Sequence, residues 1–273
     1  VWANEGFSVA SSLNLIEAWI TSLSYTFQLY FDFSGYTDMA IGAALLFNIK
    51  LPVNFNSPYK ATGMIDFWKR WHITLTGFIT TYIYTPILRY FNKLTFHKAM
   101  LATVIAFLIA GLWHGASWLF VIFGGLNGLG IVINHYWKKK IKIKINKFLA
   151  WFITFNYINV TFIFFRAKEW VDAVKVLGSM FSLDNIVFPS FLNSSFGFLN
   201  KYGIEFGGFV SNIKAGNEII LYILMAFIIT LKFKNIYQYQ FKENSLNLTI
   251  FLLVSIVSIL KLNEYSEFLY FQF

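Results

Sequence analysis

Cysteine does not occur in these 273 residues. Its absence excludes a disulfide framework, a thiolate metal cluster and a cysteine nucleophile able to carry a covalent acyl intermediate. Charge is scarce as well: 13% of the residues are Asp, Glu, Lys or Arg, where a soluble domain carries about 25%. The stretch from Ala99 to Trp137 holds none of the four. The opening "VWANEGFSVASSLNLIEAWI" has no basic region followed by a short apolar core and a small-residue cleavage site. It reads as a piece begun inside a longer protein.

What fills the chain instead is apolar: 57% hydrophobic and 21% aromatic residues, with a positive mean hydropathy. That composition indicates a membrane protein. The excess of 22 basic over 13 acidic residues then fits cytoplasmic loops obeying the positive-inside rule, and no nucleic-acid partner is expected. Charge-free runs at Ala18–Phe31 and Met39–Ile49 are short, and Ile73–Leu88 is intermediate. Ala99–Trp137 is long enough for two spans of about 20 residues, and Phe148–Phe165 supplies one. Ile219–Leu231 and Asn244–Leu260 add two more. Lipid forces backbone groups to pair within a helix or a closed barrel, and runs this uniformly apolar lack barrel alternation. The expected class is therefore all-α: one polytopic transmembrane helical bundle over residues 1–273, with short re-entrant and interfacial helices.

Orientation follows from "KKKIKIKINK", Lys138 to Lys147, the densest basic cluster and so cytoplasmic. Counting spans from it puts Arg89, Lys93 and Lys98 inside, residues 166–218 outside, Lys232, Lys234 and Lys242 inside, and "EYSEFLYFQF" outside. Pro52 and Pro58, with Asn54, Asn56 and Ser57 between them, interrupt helix and require a place within protein or at an interface.

Of four histidines, His97 and His135 sit beside lysines and read as interfacial. His114, in "AGLWHGASW", differs, because an ionisable group within a span is costly and marks a functional hypothesis. The plain alternative is an imidazole that binds helices together through a carbonyl. His72 lies in "DFWKRWHITL". If that stretch is one amphipathic helix, Trp68, Trp71, His72 and Leu75 share a face while Lys69 and Arg70 point elsewhere. Asp32 and Asp38, six apart around Gly35 in "YFDFSGYTDMAIG", would lie on opposite helix sides, unlike paired glycosidase acids. They read as capping or charge-partner groups, with Arg70 or Lys69 as mates. The histidine spacing is a poor zinc signature, so no metal is expected.

Together "QLYFDFSGYTDMAIG", "PVNFNSPYKATGMIDFWKRWHITLTGFITTYIYTPI", "AGLWHGASW", "NVTFIFFRA" and "FLYFQF" resemble the bacterial branch of the membrane-bound O-acyltransferase family. That branch includes alginate and peptidoglycan O-acetylation proteins and, more distantly, teichoic-acid D-alanylation proteins. The resemblance runs in order from Gln28 to Phe273. It implies that His114 is the catalytic histidine and His72 a supporting position, near a channel through the bacterial inner membrane. Trp113, Trp71, Trp68, Asp32, Asp38 and Arg70 are then candidates to hold substrate. It further implies a cytoplasmic acyl thioester such as acetyl-CoA as donor, with no bound cofactor. An envelope polysaccharide would be the acceptor, and a separate extracytoplasmic transferase the partner. Family members carry further N-terminal helices that this chain lacks. Imidazole titrates near 6.5 and apolar burial favours its neutral form, which is what a general base for a hydroxyl needs. Direct attack by that hydroxyl is the simpler route, with Ser117 a conceivable relay. Two alternatives stand beside it: an acyl-group transporter suggested by the small residues of "FSGYTDMAIG" and "AGLWHGASWLFVIFGGLNGLG", and an inactive remnant.

Overall fold

The computed structural model describes residues 2–238 and 244–261. Lys242 and the terminal "EYSEFLYFQF", with its "FLYFQF" motif, lie outside the described residues. After a short helical lead-in, Asn14 caps helix α1 (Leu15–Leu46): its side chain accepts from the Glu17 N–H while the Glu17 carboxylate accepts from the Asn14 N–H. This reciprocal pair satisfies two of the orphan donors at a helix start. With 32 residues, α1 is about 48 Å long. Sequence reasoning placed two short apolar pieces here. Asp32, Gly35 and Asp38 instead lie inside one unbroken helix.

The stretch between Pro52 and Pro58 packs into the protein, with Phe55, Ser57 and Tyr59 buried. Helix α2 (Met64–Trp68) follows, then α3 (Ile73–Ile79), which runs through a π-helical turn (Thr80–Tyr84) into α4 (Thr85–Tyr90). Helices α5 (Phe96–His114) and α6 (Trp118–Tyr136) form a hairpin from the long charge-free run. Helix α7 (Lys147–Arg166) packs against α6 and α1. Three of these helical segments, Phe96–His114, Trp118–Ile141 and Lys147–Arg166, are long and apolar enough to cross a membrane, and half or less of each is buried within the protein. The remainder presents side chains such as Leu101, Leu112, Leu129 and Ile133 outward, as a lipid-facing surface does.

Helix α8 (Trp170–Phe181) lies on α1. A helical crossover then joins two short parallel strands, β1 (Ile186–Pro189) and β2 (Ile204–Gly207), with Ile186 opposite Ile204. The all-helical expectation did not include this pair. It follows the last of the three apolar segments and lies outside all of them, where strand edges need not be satisfied in lipid. Helices α9 (Glu218–Lys232) and α10 (Ser245–Lys261) complete the described chain.

The α5–α6 hairpin is held by backbone approach. A Cβ on Gly111 would stand 2.2 Å from the Phe120 carbonyl oxygen, and one on Gly124 would stand 2.2 Å from that of Phe107. Gly128, one turn beyond Gly124, lies over Val104 and Phe107. Such spacing of small residues lets membrane helices meet closely. The basic residues gather at the hairpin's opposite end, where Tyr136 Oη and His97 Nδ1 are 2.7 Å apart and Lys139 lies over the Phe96 ring.

Candidate active site

His114 is the last residue of α5, so the hairpin carries its ring at the end away from the lysine cluster. Aromatic rings surround it: Phe165 of α7 lies edge-on at 4.9 Å, Trp113 at 4.8 Å and Phe123 of α6 at 6.1 Å.

His72 arrives by a different local route from the one its sequence spacing suggested. The amphipathic helix ends at Trp68, and His72 occupies the left-handed region (φ 43°, ψ 57°) just before α3. That conformation costs a residue with a side chain roughly 1–2 kcal/mol. Its cause is the neighbouring loop. Asn54 takes the Ile73 N–H on its carbonyl at 3.0 Å, and its side chain accepts from the Thr74 N–H at 3.1 Å and hydroxyl at 2.7 Å. Arg70 O accepts from Asn56 N at 2.9 Å. Four residues are thus pulled out of helix to serve the loop. Even so, Trp68, Trp71, His72 and Leu75 converge on one small chamber with His114.

Two cavities meet here. The larger, about 420 Å³, follows α5 from Thr103 to His114 along positions three and four apart, and reaches Lys69 and His135. The smaller, about 20 Å³, lies between His72 and His114. His114, Trp68, Leu75 and Phe123 border both. Trp68 is fixed by donating Nε1–H to Asn127 Oδ1 at 3.2 Å, and Asn127, fully buried, donates to the Phe123 carbonyl at 2.8 Å. Asn127 escaped the sequence reading, although a polar amide within a span was its signal. His135, read as interfacial, proves to line the larger cavity.

The remaining sequence candidates lie elsewhere. Arg70 pairs with Asp66 at 2.8 Å, one helical turn before it, and with the Asn56 carbonyl. The expected pairing with Asp32 or Asp38 is therefore corrected: the nearer carboxylate at i−4 takes the guanidinium. Asp38 accepts from Tyr237 Oη at 2.7 Å, and burial together with that carboxylate raises the Tyr237 phenol above its usual range. Asp32, Asp38, Arg70 and Trp113 border neither cavity, although Trp113 touches the His114 ring. Ser117 caps α6 by accepting the Leu119 N–H. Among the described residues no three His, Cys, Asp or Glu side chains gather as a metal site would require.

Residues 6–167 match the profile of the membrane-bound O-acyltransferase family. The chain belongs to that family. Both histidines and both cavities fall largely within the matched region. The chain is 48% identical over 203 residues to a peptidoglycan O-acetyltransferase of Helicobacter pylori, covering 73% of this chain and 38% of that protein. It is 37% identical over 166 residues to a probable alginate O-acetylase, AlgI, of Azotobacter vinelandii, covering 61% and 33%. A teichoic acid D-alanyltransferase of Streptococcus thermophilus is 32% identical over 162 residues, covering 52% and 39%. The chain of this family member thus spans about two-fifths or less of each of these relatives.

Proposed function

We propose that the protein containing this chain is a membrane O-acyltransferase. It moves an acetyl group from a cytoplasmic thioester, such as acetyl-CoA, to a hydroxyl of an envelope polysaccharide, with an extracytoplasmic transferase as partner, in the bacterial inner membrane. In this reading His114 takes the proton of the acceptor hydroxyl as its oxygen attacks the thioester carbonyl. The carbon–sulfur bond then breaks, and the departing thiolate takes up a proton. A general base of this kind is worth about 10² to 10⁴ in rate. His72 borders the chamber on its other side and acts as a positioning residue.

The observation that carries the reading is the continuous cavity with Lys69 and His135 at one end and His114 at the other. The Lys69 ammonium at that end suits the phosphates of a thioester donor, and the apolar walls along Ala106, Phe107 and Ala110 suit an uncharged arm. The transporter alternative drew on the small residues of "FSGYTDMAIG" in α1 and of α5 and α6; Gly111 and Gly124 are committed to helix packing, while a Cβ on Gly35 or Gly42 would meet nothing within 4 Å. The test is mass analysis of envelope glycans from cells carrying the full-length gene or its His114→Ala form. O-acyl ester should disappear in the variant at normal protein level, and its persistence would refute the assignment.

A further inference from the structure

We infer that Asn127 is a positioning residue for acyl transfer: it holds the Trp68 indole as the wall shared by the two cavities beside His114. The inference rests on the acyltransferase reading and adds to it a residue that meets neither substrate.

Asn127 is fully buried in α6 and borders neither cavity. An amide buried within a membrane span is costly unless it is hydrogen-bonded. Its Nδ2 donates to the Phe123 carbonyl at 2.8 Å, one turn back on the same helix, which leaves Oδ1 to accept from Trp68 Nε1 at 3.2 Å. No other orientation serves the indole, whose N–H only donates. Asn134, two turns further along α6, takes the Ile65 N–H on its Oδ1 at 3.3 Å. Between the two amides, a Cβ on Gly130 would stand 3.1 Å from two side-chain atoms of Met64. The five-residue helix α2 is thus seated on α6 at both ends, and its last residue is Trp68.

Helix binding alone does not account for what Asn127 holds. Trp68 is 8% exposed, its ring meets Phe107 of α5 at 4.9 Å, and it borders both the larger cavity and the chamber, as His114 does. With its Nε1 edge fixed to α6, the rest of the indole keeps its place at the junction where thioester carbonyl and imidazole meet. Without the Asn127 oxygen, the buried N–H loses its acceptor and the ring turns to seek another. A displacement of about 1 Å at such a junction costs on the order of 10² in rate.

The test times acyl transfer in membrane vesicles containing the full-length protein, its native glycan acceptor and varied acetyl-CoA. Asn127→Leu removes both bonds at similar volume. Asn127→Thr keeps a hydroxyl for the Phe123 carbonyl, as Thr103, Thr154 and Thr230 do for carbonyls four residues back, but is too short to reach the indole. Trp68→Phe breaks the same bond from its other end. Each change should lower kcat by about tenfold or more while KM for acetyl-CoA stays within about threefold. In a Trp68→Phe background the Asn127 changes should cost no more than about threefold further, because the bond they act through is already gone. Equal losses in both backgrounds would overturn the inference. So would a kcat within about threefold of wild type for Trp68→Phe, or for an Asn127 variant that reaches normal protein level, which would assign the amide to packing alone. Should neither Asn127 variant accumulate, Trp68→Phe decides by itself. All these outcomes leave the acyltransferase reading standing, whereas absence of ester with wild type would sink that reading and the inference with it.

Discussion

Replacing Gly124 with alanine tests whether the α5–α6 crossing sets the position of His114. The added Cβ would stand 2.2 Å from the Phe107 carbonyl oxygen, against an ordinary contact of 3.4 Å or more. The helices must therefore part by about 1.2 Å at this point. The obstacle is backbone, which cannot rotate away as a side-chain tip would. Overpacking of this sort costs about 1–3 kcal/mol. Gly111, which faces Gly124 across the crossing, lies three residues before His114 on α5, so the displacement reaches the imidazole within one turn. A misplacement of about 1 Å at a reacting group can cost on the order of 10² in rate. Thermal unfolding in detergent and ester formation in membrane vesicles should both fall for Gly124→Ala and for Gly111→Ala. Gly42→Ala is the control: its Cβ would meet nothing within 4 Å, and alanine in a helix is favoured by up to about 1 kcal/mol. Should Gly124→Ala melt and turn over like Gly42→Ala, the tight crossing does not locate the site.

Three other outcomes are expected. Glu17→Ala removes the acceptor of the Asn14 N–H at 3.0 Å, the Asn212 N–H at 2.7 Å and the Asn212 side-chain amide at 2.9 Å. At roughly 1–3 kcal/mol for the buried Asn14 donor left unpaired and less for those of the exposed Asn212, the melting temperature should drop by several degrees, and a shift within one degree would contradict this. Asn54→Ala frees the Thr74 N–H and hydroxyl, at about 1–3 kcal/mol; it should lower ester formation more than it lowers protein level, because the His72 turn loses its support. Asp38→Asn keeps an oxygen for Tyr237 and lies away from both cavities, so glycan ester measured by mass spectrometry should stay within about twofold of wild type, by the small worth of exposed polar pairs.

The long charge-free run made α5 and α6 legible in the sequence, because absence of charge is the property that lipid selects. The same criterion failed on α1. Asp32 and Asp38 divided its apolar surface into two short runs, whereas helix continuity depends on backbone pairing and capping, which the Asn14 and Glu17 pair supplies. Periodicity brought Trp68, Trp71, His72 and Leu75 together correctly and for the wrong reason. They converge through a broken turn whose carbonyls and N–H groups answer to Asn54 and Asn56, well back along the chain from it. His135 stays at the lysine end of the hairpin, as its neighbours signal, and also lines the larger cavity there, which spacing alone does not show. Side-chain partners at long range, such as Trp68 with Asn127, have no signature in spacing.

The central claim is that the His114 imidazole takes the acceptor's proton. Acyl transfer should therefore be timed in vesicles containing the full-length protein with His114 intact or changed to Gln, a side chain of similar reach that cannot accept and hold a proton. The expected result is a rate lower by about 10² to 10⁴ at equal protein and equal thermal stability. A rate within threefold of wild type would contradict the claim.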